Sequence, residues 1–203
     1  MMTWEIINVI GTLAFAISGA LVAMEENFDI VGMLVLSFTT AYGGSTIRNL
    51  LIGIPIEEGP IWTQSYLVTS VFIIVLLLFF LPYRWWIKYC GKWGIFFDAI
   101  GLSSFAIQGA NNAVQIDAPL SAVIVAATLT GAGGGMIRDV FANRKPMIFQ
   151  KEIYALWASL GGVAIGIGFI QDAVSTWILF IGIILLRLGS VYFGWKLPRR
   201  KLS

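Results

Sequence analysis

The sequence predicts an all-α integral membrane protein: seven transmembrane helices as two inverted three-helix repeats plus a seventh helix, with helices 2 and 5 kinked at glycine clusters. Three observations carry this prediction. Hydrophobic residues make up 58% of the 203 and charged residues only 12%, with a mean hydropathy of +0.86; a soluble domain is nearer half apolar and a quarter charged. Seven apolar segments are long enough to cross a hydrocarbon core of about 30 Å, which takes around 20 helical residues. The chain also resembles itself at an offset of ninety residues.

In chain order the segments lie near 6–25, 31–53, 64–82, 94–114, 119–142, 153–170 and 174–195. Glu5 and no Lys or Arg precedes the first, which reads as a spanning helix rather than a cleaved signal peptide. The connections are short and carry charge or turn chemistry, such as Glu25-Glu26-Asn27, Asp117-Ala118-Pro119 and Asn143-Arg144-Lys145-Pro146. All eight tryptophans (Trp4, Trp62, Trp85, Trp86, Trp93, Trp157, Trp177 and Trp195) fall at or near segment ends, as an aromatic belt requires. The whole chain, 1–203, reads as one membrane domain: repeat 1 about 5–82, repeat 2 about 94–170, a seventh helix about 174–195 and a basic tail 196–203.

Seven spans place Arg84, Lys88, Lys92, Arg144, Lys145, Lys151, Lys196, Arg199, Arg200 and Lys201 on one side and no Lys or Arg on the other. The positive-inside rule then puts the C-terminus in the cytoplasm and the N-terminus outside a cell (inner) membrane. These basic residues could also hold anionic membrane lipids. Net charge is +2, too near neutral to suggest a nucleic-acid partner. The absence of histidine and the single Cys90 remove the usual metal ligands, general base and multi-cysteine motifs. No metal, cofactor or catalytic residue is expected, and an enzyme is the weakest functional class.

The repeat aligns Gly11–Ala20 with Gly101–Ala110, Gly43 and Gly44 with Gly133 and Gly134, and Arg48 with Arg138. Asn8 falls on Asp98 and Asn49 on Asp139. Glycines, a phenylalanine and an arginine hold one register, which generic apolar similarity does not produce. Three helices per unit is an odd number, so the second unit enters the membrane from the opposite face. Inverted repeats are typical of proteins that move solutes through a site near the midplane. At 1.5 Å per residue, Gly43 lies roughly 18 Å and Gly133 roughly 20 Å in from opposite faces.

The clusters Gly43-Gly44-Ser45-Thr46 and Gly133-Gly134-Gly135 are read as kinks lining a pathway, in preference to simple close packing. For Gly162 and Gly166 packing is the preferred reading. Thr40, Asn49, Asn111, Asn112, Thr130 and Asp139 are the other polar candidates for a path, each equally able to bond a neighbouring helix. Arg48 points toward the side without positive charge. Arg138, near a helix end, either lines the path or snorkels to headgroups, and Arg187 either snorkels or partners an internal acid. A fixed cation in a path binds a substrate carboxylate or acts as barrier or gate in a cation pore.

Two inverted three-helix repeats plus a seventh helix, with Gly-Gly-x-x-Ile-Arg-Asp/Asn in helices 2 and 5, resemble the trimeric intracellular cation channel family, its prokaryotic branch above all. The resemblance covers essentially the whole chain. It implies a homotrimer with one pore per subunit, conducting potassium and other monovalent cations between helices 2 and 5 kinked at Gly43-Gly44 and Gly133-Gly134-Gly135. Ser45 and Asn49 make repeat 1 the less typical half. Related bacterial proteins are described as glycine transporters, so a secondary carrier of a small amino acid is the alternative, with Arg48 or Arg138 on the carboxylate.

Overall fold

The structure, a computed structural model, describes residues 2–53, 63–80, 90–149 and 153–195. Its seven long helices are α1 (Met2–Glu25), α2 (Ile30–Ile52), α3 (Ser65–Phe80), α4 (Cys90–Gln115), α5 (Leu120–Phe141), α6 (Ala155–Gly166) and α7 (Ala173–Tyr192). A short 3-10 turn, Met147–Phe149, precedes α6, and the described residues contain no strand. By length and hydropathy α1, α2, α5 and α7 can each cross a membrane, while α3 and α6 are shorter apolar helices. The most polar is α4, which is long enough at 26 residues but turns Asp98, Ser103 and Ser104 into the protein interior. Trp62, Trp85, Trp86 and seven of the ten basic residues used for orientation lie outside the described residues.

Turns at the helix ends repeat with the sequence. After α1 and α4, Asn27 (φ 57°) and Asp117 (φ 52°) take the left-handed conformation, which the short polar side chains of Asn and Asp tolerate. The next amides, of Phe28 and Ala118, close back onto the carbonyls of Ala23 and Ala113 at 2.9 and 3.0 Å. The sixth helix is shorter than the apolar run suggests. Gly168 (φ 76°) ends it, with the Phe169 amide returning to the Ala164 carbonyl at 3.0 Å, a glycine C-cap in which the missing Cβ removes the steric cost. The start of α7 is fixed by Asp172, whose side chain caps the amides of Val174 and Ser175. Hydrogen bonds from Ser175 hold this exposed carboxyl below its ordinary pKa. The cap therefore contributes stability above the ordinary carboxylate range and loses it as pH falls through the lower folded value.

The core is a quartet in which α1 lies against α2 and α4, and α5 against α2 and α4. Its centre is a crossing of α2 and α5 too close for side chains. A Cβ on Gly44 would collide with the Thr130 carbonyl oxygen, and one on Gly134 with the Thr40 carbonyl oxygen. A Cβ on Gly133 would come within 3.0 Å of the Gly44 Cα. The first two contacts exchange under the ninety-residue offset, as a pseudo-two-fold axis through the crossing demands. The flanking contacts obey the same symmetry: Gly19 abuts Leu36 and Thr40, and Gly109 abuts Ala126 and Thr130.

These contacts show what the glycines do at the crossing. Both α2 and α5 remain helical through their glycines, so no run of carbonyls is freed there. An intact helix keeps its amides and carbonyls paired in apolar surroundings, where an unsatisfied group costs several kcal/mol. What the glycines supply is close approach. Gly162 and Gly166 do the same for α6 against α5, facing Ala127 and Ile124, and Leu120 and Val123.

Candidate functional site

Two clusters of buried polar side chains occupy repeat-related positions on either side of the crossing. In repeat 2, Arg138 is 2% exposed and donates through Nη1 to Asp98 Oδ1 (2.8 Å) and Ser18 Oγ (2.7 Å). Its Nε and Nη2 both donate to Asp139 Oδ1, at 2.9 and 2.8 Å. Asp139 Oδ2 accepts from the Met147 amide at 3.0 Å, and the Tyr154 hydroxyl lies 3.3 Å from Asp98 Oδ1. Arg187, fully buried, stacks over the Tyr154 ring at 4.8 Å. Its Nη2 lies 3.5 Å from the Met147 sulfur. Snorkelling is therefore not what either arginine does: two carboxylates surround Arg138, and Arg187 covers the tyrosine that touches one of them.

In repeat 1 the same positions carry amides. Arg48, also 2% exposed, donates through Nε and Nη2 to Asn49 Oδ1 at 3.0 and 2.6 Å. In the amide orientation that satisfies both groups, Asn112 presents its oxygen to Arg48 Nη1 and Nη2 at 3.3 and 3.2 Å. Asn8, aligned with Asp98, donates to Gln64 Oε1 and accepts from Gln108 Nε2, both at 2.8 Å. Gln64 and Gln108 are the repeat mates of Tyr154 and Ser18. No ion pair to Arg48 exists among the described residues.

Each cluster adjoins a cavity, and the two open at opposite ends of α1 and α4. The larger, about 250 Å³, is floored by Arg138 and Asp139 and reached past Glu25, Arg144 and Lys145. The smaller, about 150 Å³, is lined by Asn8, Gln64, Gln108, Asn111, Asn112 and Gln115, with Trp4 and Glu5 at its rim. Leu21, Val22 and Glu25 of the first wall correspond to Asn111, Asn112 and Gln115 of the second. The cavities are thus one construction, built twice with different side chains. Between them lie the Phe15–Phe105 ring pair (centroids 5.2 Å apart) and the glycine crossing, where the helices touch.

Of the residues expected along a path, Asn111, Asn112, Arg138 and Asp139 line a cavity. Thr40, Ser45, Thr46 and Thr130 bond back to carbonyls of their own helices, at 2.6–2.9 Å. Gly44, Gly133 and Gly134 lie at the α2–α5 crossing, Gly43 faces Ile137, and Gly135 lies against the Arg138 cluster beside the Tyr154 hydroxyl and Asp98; none of these lines either cavity. Sequence reasoning missed Asp98, Ser18, Tyr154, Asn8, Gln64 and Gln108. The available signal was the alignment of Asn8 with Asp98, polar residues at matching depths in two apolar segments.

At the mouth of the larger cavity, Arg144 donates to Glu25 Oε2 (2.7 Å) and Glu26 Oε1 (2.5 Å), tying the α5–α6 connection to the α1–α2 turn. These groups are about one third exposed, so each pair is worth no more than about 1 kcal/mol. Arg144→Gln is expected to lower the melting temperature of detergent-solubilised protein only slightly. Added salt should shrink the difference from wild type.

A sequence model of the family described as Glycine transporter matches residues 5–82 and 95–171. The UPF0126 membrane protein YvgT of Bacillus subtilis (strain 168) is 49% identical over 98% of this chain and 97% of its own length. The UPF0126 inner membrane protein YadS of Escherichia coli (strain K12) is 36% identical over 95% and 93%. Among solved structures, a TRIC cation channel superposes with TM-score 0.85 at 35% identity, covering 98% of both chains. The TRIC trimeric intracellular cation channel orthologue from Rhodobacter sphaeroides gives 0.84 at 28% identity, covering 96% of this chain and 100% of that one.

Proposed function

Because this chain belongs to the trimeric intracellular cation channel family, in its prokaryotic branch, we propose that it is a potassium-permeable monovalent cation channel with one pore per subunit. The observation that carries this reading is the pair of inverted cavities, one floored by Arg138 and the other lined by Asn112 beside Arg48, with the Phe15–Phe105 ring pair and the α2–α5 crossing between them. The path runs through Arg138 and Asp139, past Gly134 and Gly44, to Asn112 beside Arg48, and this conformation is shut at the crossing. A charged permeant ion needs polar groups where it sheds water, and both cavities supply them. Opening separates α2 from α5, which the small residues at the contact allow without extracting a large side chain. Arg48 and Arg138 act as fixed charges that set the barrier. Like its structural relatives, the protein is taken to move ions rather than to catalyse a reaction.

The family supports a homotrimer, which crosslinking in membranes should show as a three-subunit ladder. Lys92, Arg144 and Lys145 lie toward the same end as the larger cavity, and the positive-inside rule makes that end cytoplasmic. The amide-lined cavity beside Arg48 favours one other reading, a carrier for a small amino acid. Current across a planar bilayer under a potassium gradient separates the two. Discrete steps reversing with the potassium gradient are expected; a silent bilayer with saturable glycine uptake into liposomes would replace the channel by the carrier.

A further inference from the structure

We propose that the amide-lined cavity of repeat 1 is a binding site for a small monovalent anion, either halide-sized or a small carboxylate. A guanidinium does not give up its proton inside a protein, and a buried charge is normally paired because its lost hydration is otherwise uncompensated. Arg138 meets this requirement with Asp98 and Asp139. Arg48 is equally buried, yet the two matching positions hold Asn8 and Asn49. Asn49 keeps the contact to the arginine that Asp139 makes and omits its charge, while Asn8, at the position of Asp98, bonds Gln64 and Gln108 instead. Among the described residues no carboxylate supplies the missing charge, and beside this cluster lies an open cavity.

The cavity wall suits an anion. Of its lining residues only Glu5 is charged, and Glu5 is exposed at the rim. Asn112 lines the cavity and carries the contact to Arg48, so a bound anion sits one side chain from the guanidinium in a low-dielectric setting, where its field is strongest. Gln64 lines the cavity and uses its oxygen on Asn8, while its amide nitrogen donates to no described residue and is available as a donor at this wall. Gln108 Oε1 is buried without a partner; water around a hydrated anion, or the amino group of a zwitterion, would supply its donor. At about 150 Å³ the space holds several waters at about 30 Å³ each, enough for such a ligand. The site is independent of whether the path conducts ions or carries a solute.

The test is thermal melting of the detergent-solubilised protein titrated with sodium chloride, sodium formate or glycine, with gluconate holding ionic strength constant. Ligand that binds only the folded state raises its melting temperature in a saturable way. Wild type should show saturable stabilisation by chloride and formate, and Asn49→Asp, which builds the carboxylate into the cluster, should lose it. Asn8→Asp provides a second carboxylate variant should the first fail to fold. Saturation by glycine without any chloride response would also support the site and identify its ligand as an amino-acid carboxylate. No saturable response of wild type to any of the three, or an undiminished response in the carboxylate variants, overturns the proposal. Neither outcome depends on whether current is observed.

Discussion

Arg138→Gln is expected to be the most damaging single substitution in the protein. It removes the cation from a pocket in which Asp98 is fully buried and Asp139 is 4% exposed, leaving two carboxylates with neutral donors only. Breaking a buried ion pair from one side costs about 3–5 kcal/mol, because the surviving charge stays buried. Here two charges survive. The measurement is melting temperature and yield of folded protein by size-exclusion chromatography in detergent. The diagnostic result is rescue: adding Asp98→Asn to Arg138→Gln should recover much of the loss, since repeat 1 already tolerates Asn8 at that position. Effects of residues in one network are not additive, and simple addition of the two single losses would show that Arg138 and Asp98 are not coupled as their 2.8 Å contact requires. In folded Arg138→Gln protein, unitary current under a potassium gradient should change in size or gating, because the floor of the larger cavity turns from mixed charge to negative.

The second large effect is expected at the crossing. Gly134→Ala places a methyl group against the Thr40 carbonyl oxygen and within 3.0 Å of the Phe15 ring. One neighbour is backbone and cannot rotate away, so α2 must shift. Overpacking of this kind costs about 1–3 kcal/mol, and the same loss is expected for Gly44→Ala, whose methyl meets the Thr130 carbonyl oxygen. Gly182→Ala and Gly189→Ala on α7 are the controls. Nothing lies within 4 Å of either added methyl, so the gain in helix propensity, about 1 kcal/mol, should leave these variants as stable as wild type or more so. Melting curves of the four variants decide the matter, and equal losses at all four positions would show that the crossing is looser than described. On the proposed channel reading, in which the shut path runs through this contact, forcing the helices apart is also expected to raise the open probability of folded Gly134→Ala and Gly44→Ala protein.

Much of the fold was legible because membrane helices advertise themselves through composition. The observed ends of α1, α2, α3, α5 and α7 fall within a few residues of the apolar segments, while α6 stops early at a left-handed glycine that hydropathy cannot see. Of the site, Arg48, Arg138, Asp139 and Asn112 were visible as polar residues in apolar company or as repeats of one another. Asp98 was equally anomalous, but its role depends on a partner forty residues away, and Ser18 meets Arg138 across 120 residues. The glycine clusters were visible too, yet the contacts they make at a close crossing were not. A run of glycines lowers the cost of a kink and of a close crossing alike.

The sequence by itself therefore determined the membrane class, the seven spans, the doubled and inverted plan and the equivalence of Arg48 with Arg138. These follow from hydropathy, from the parity of three helices per repeat and from one alignment register, all properties read along the chain. Only the tertiary structure decided that one arginine is surrounded by carboxylates and the other by amides, that two cavities face opposite ends of α1 and α4, and that α2 and α5 touch between them. Hydrogen bonds and steric contacts are settled within a few tenths of an ångström by how each helix is rotated and crossed. Hydrophobic burial, which shaped the sequence pattern, is non-directional and leaves those rotations open.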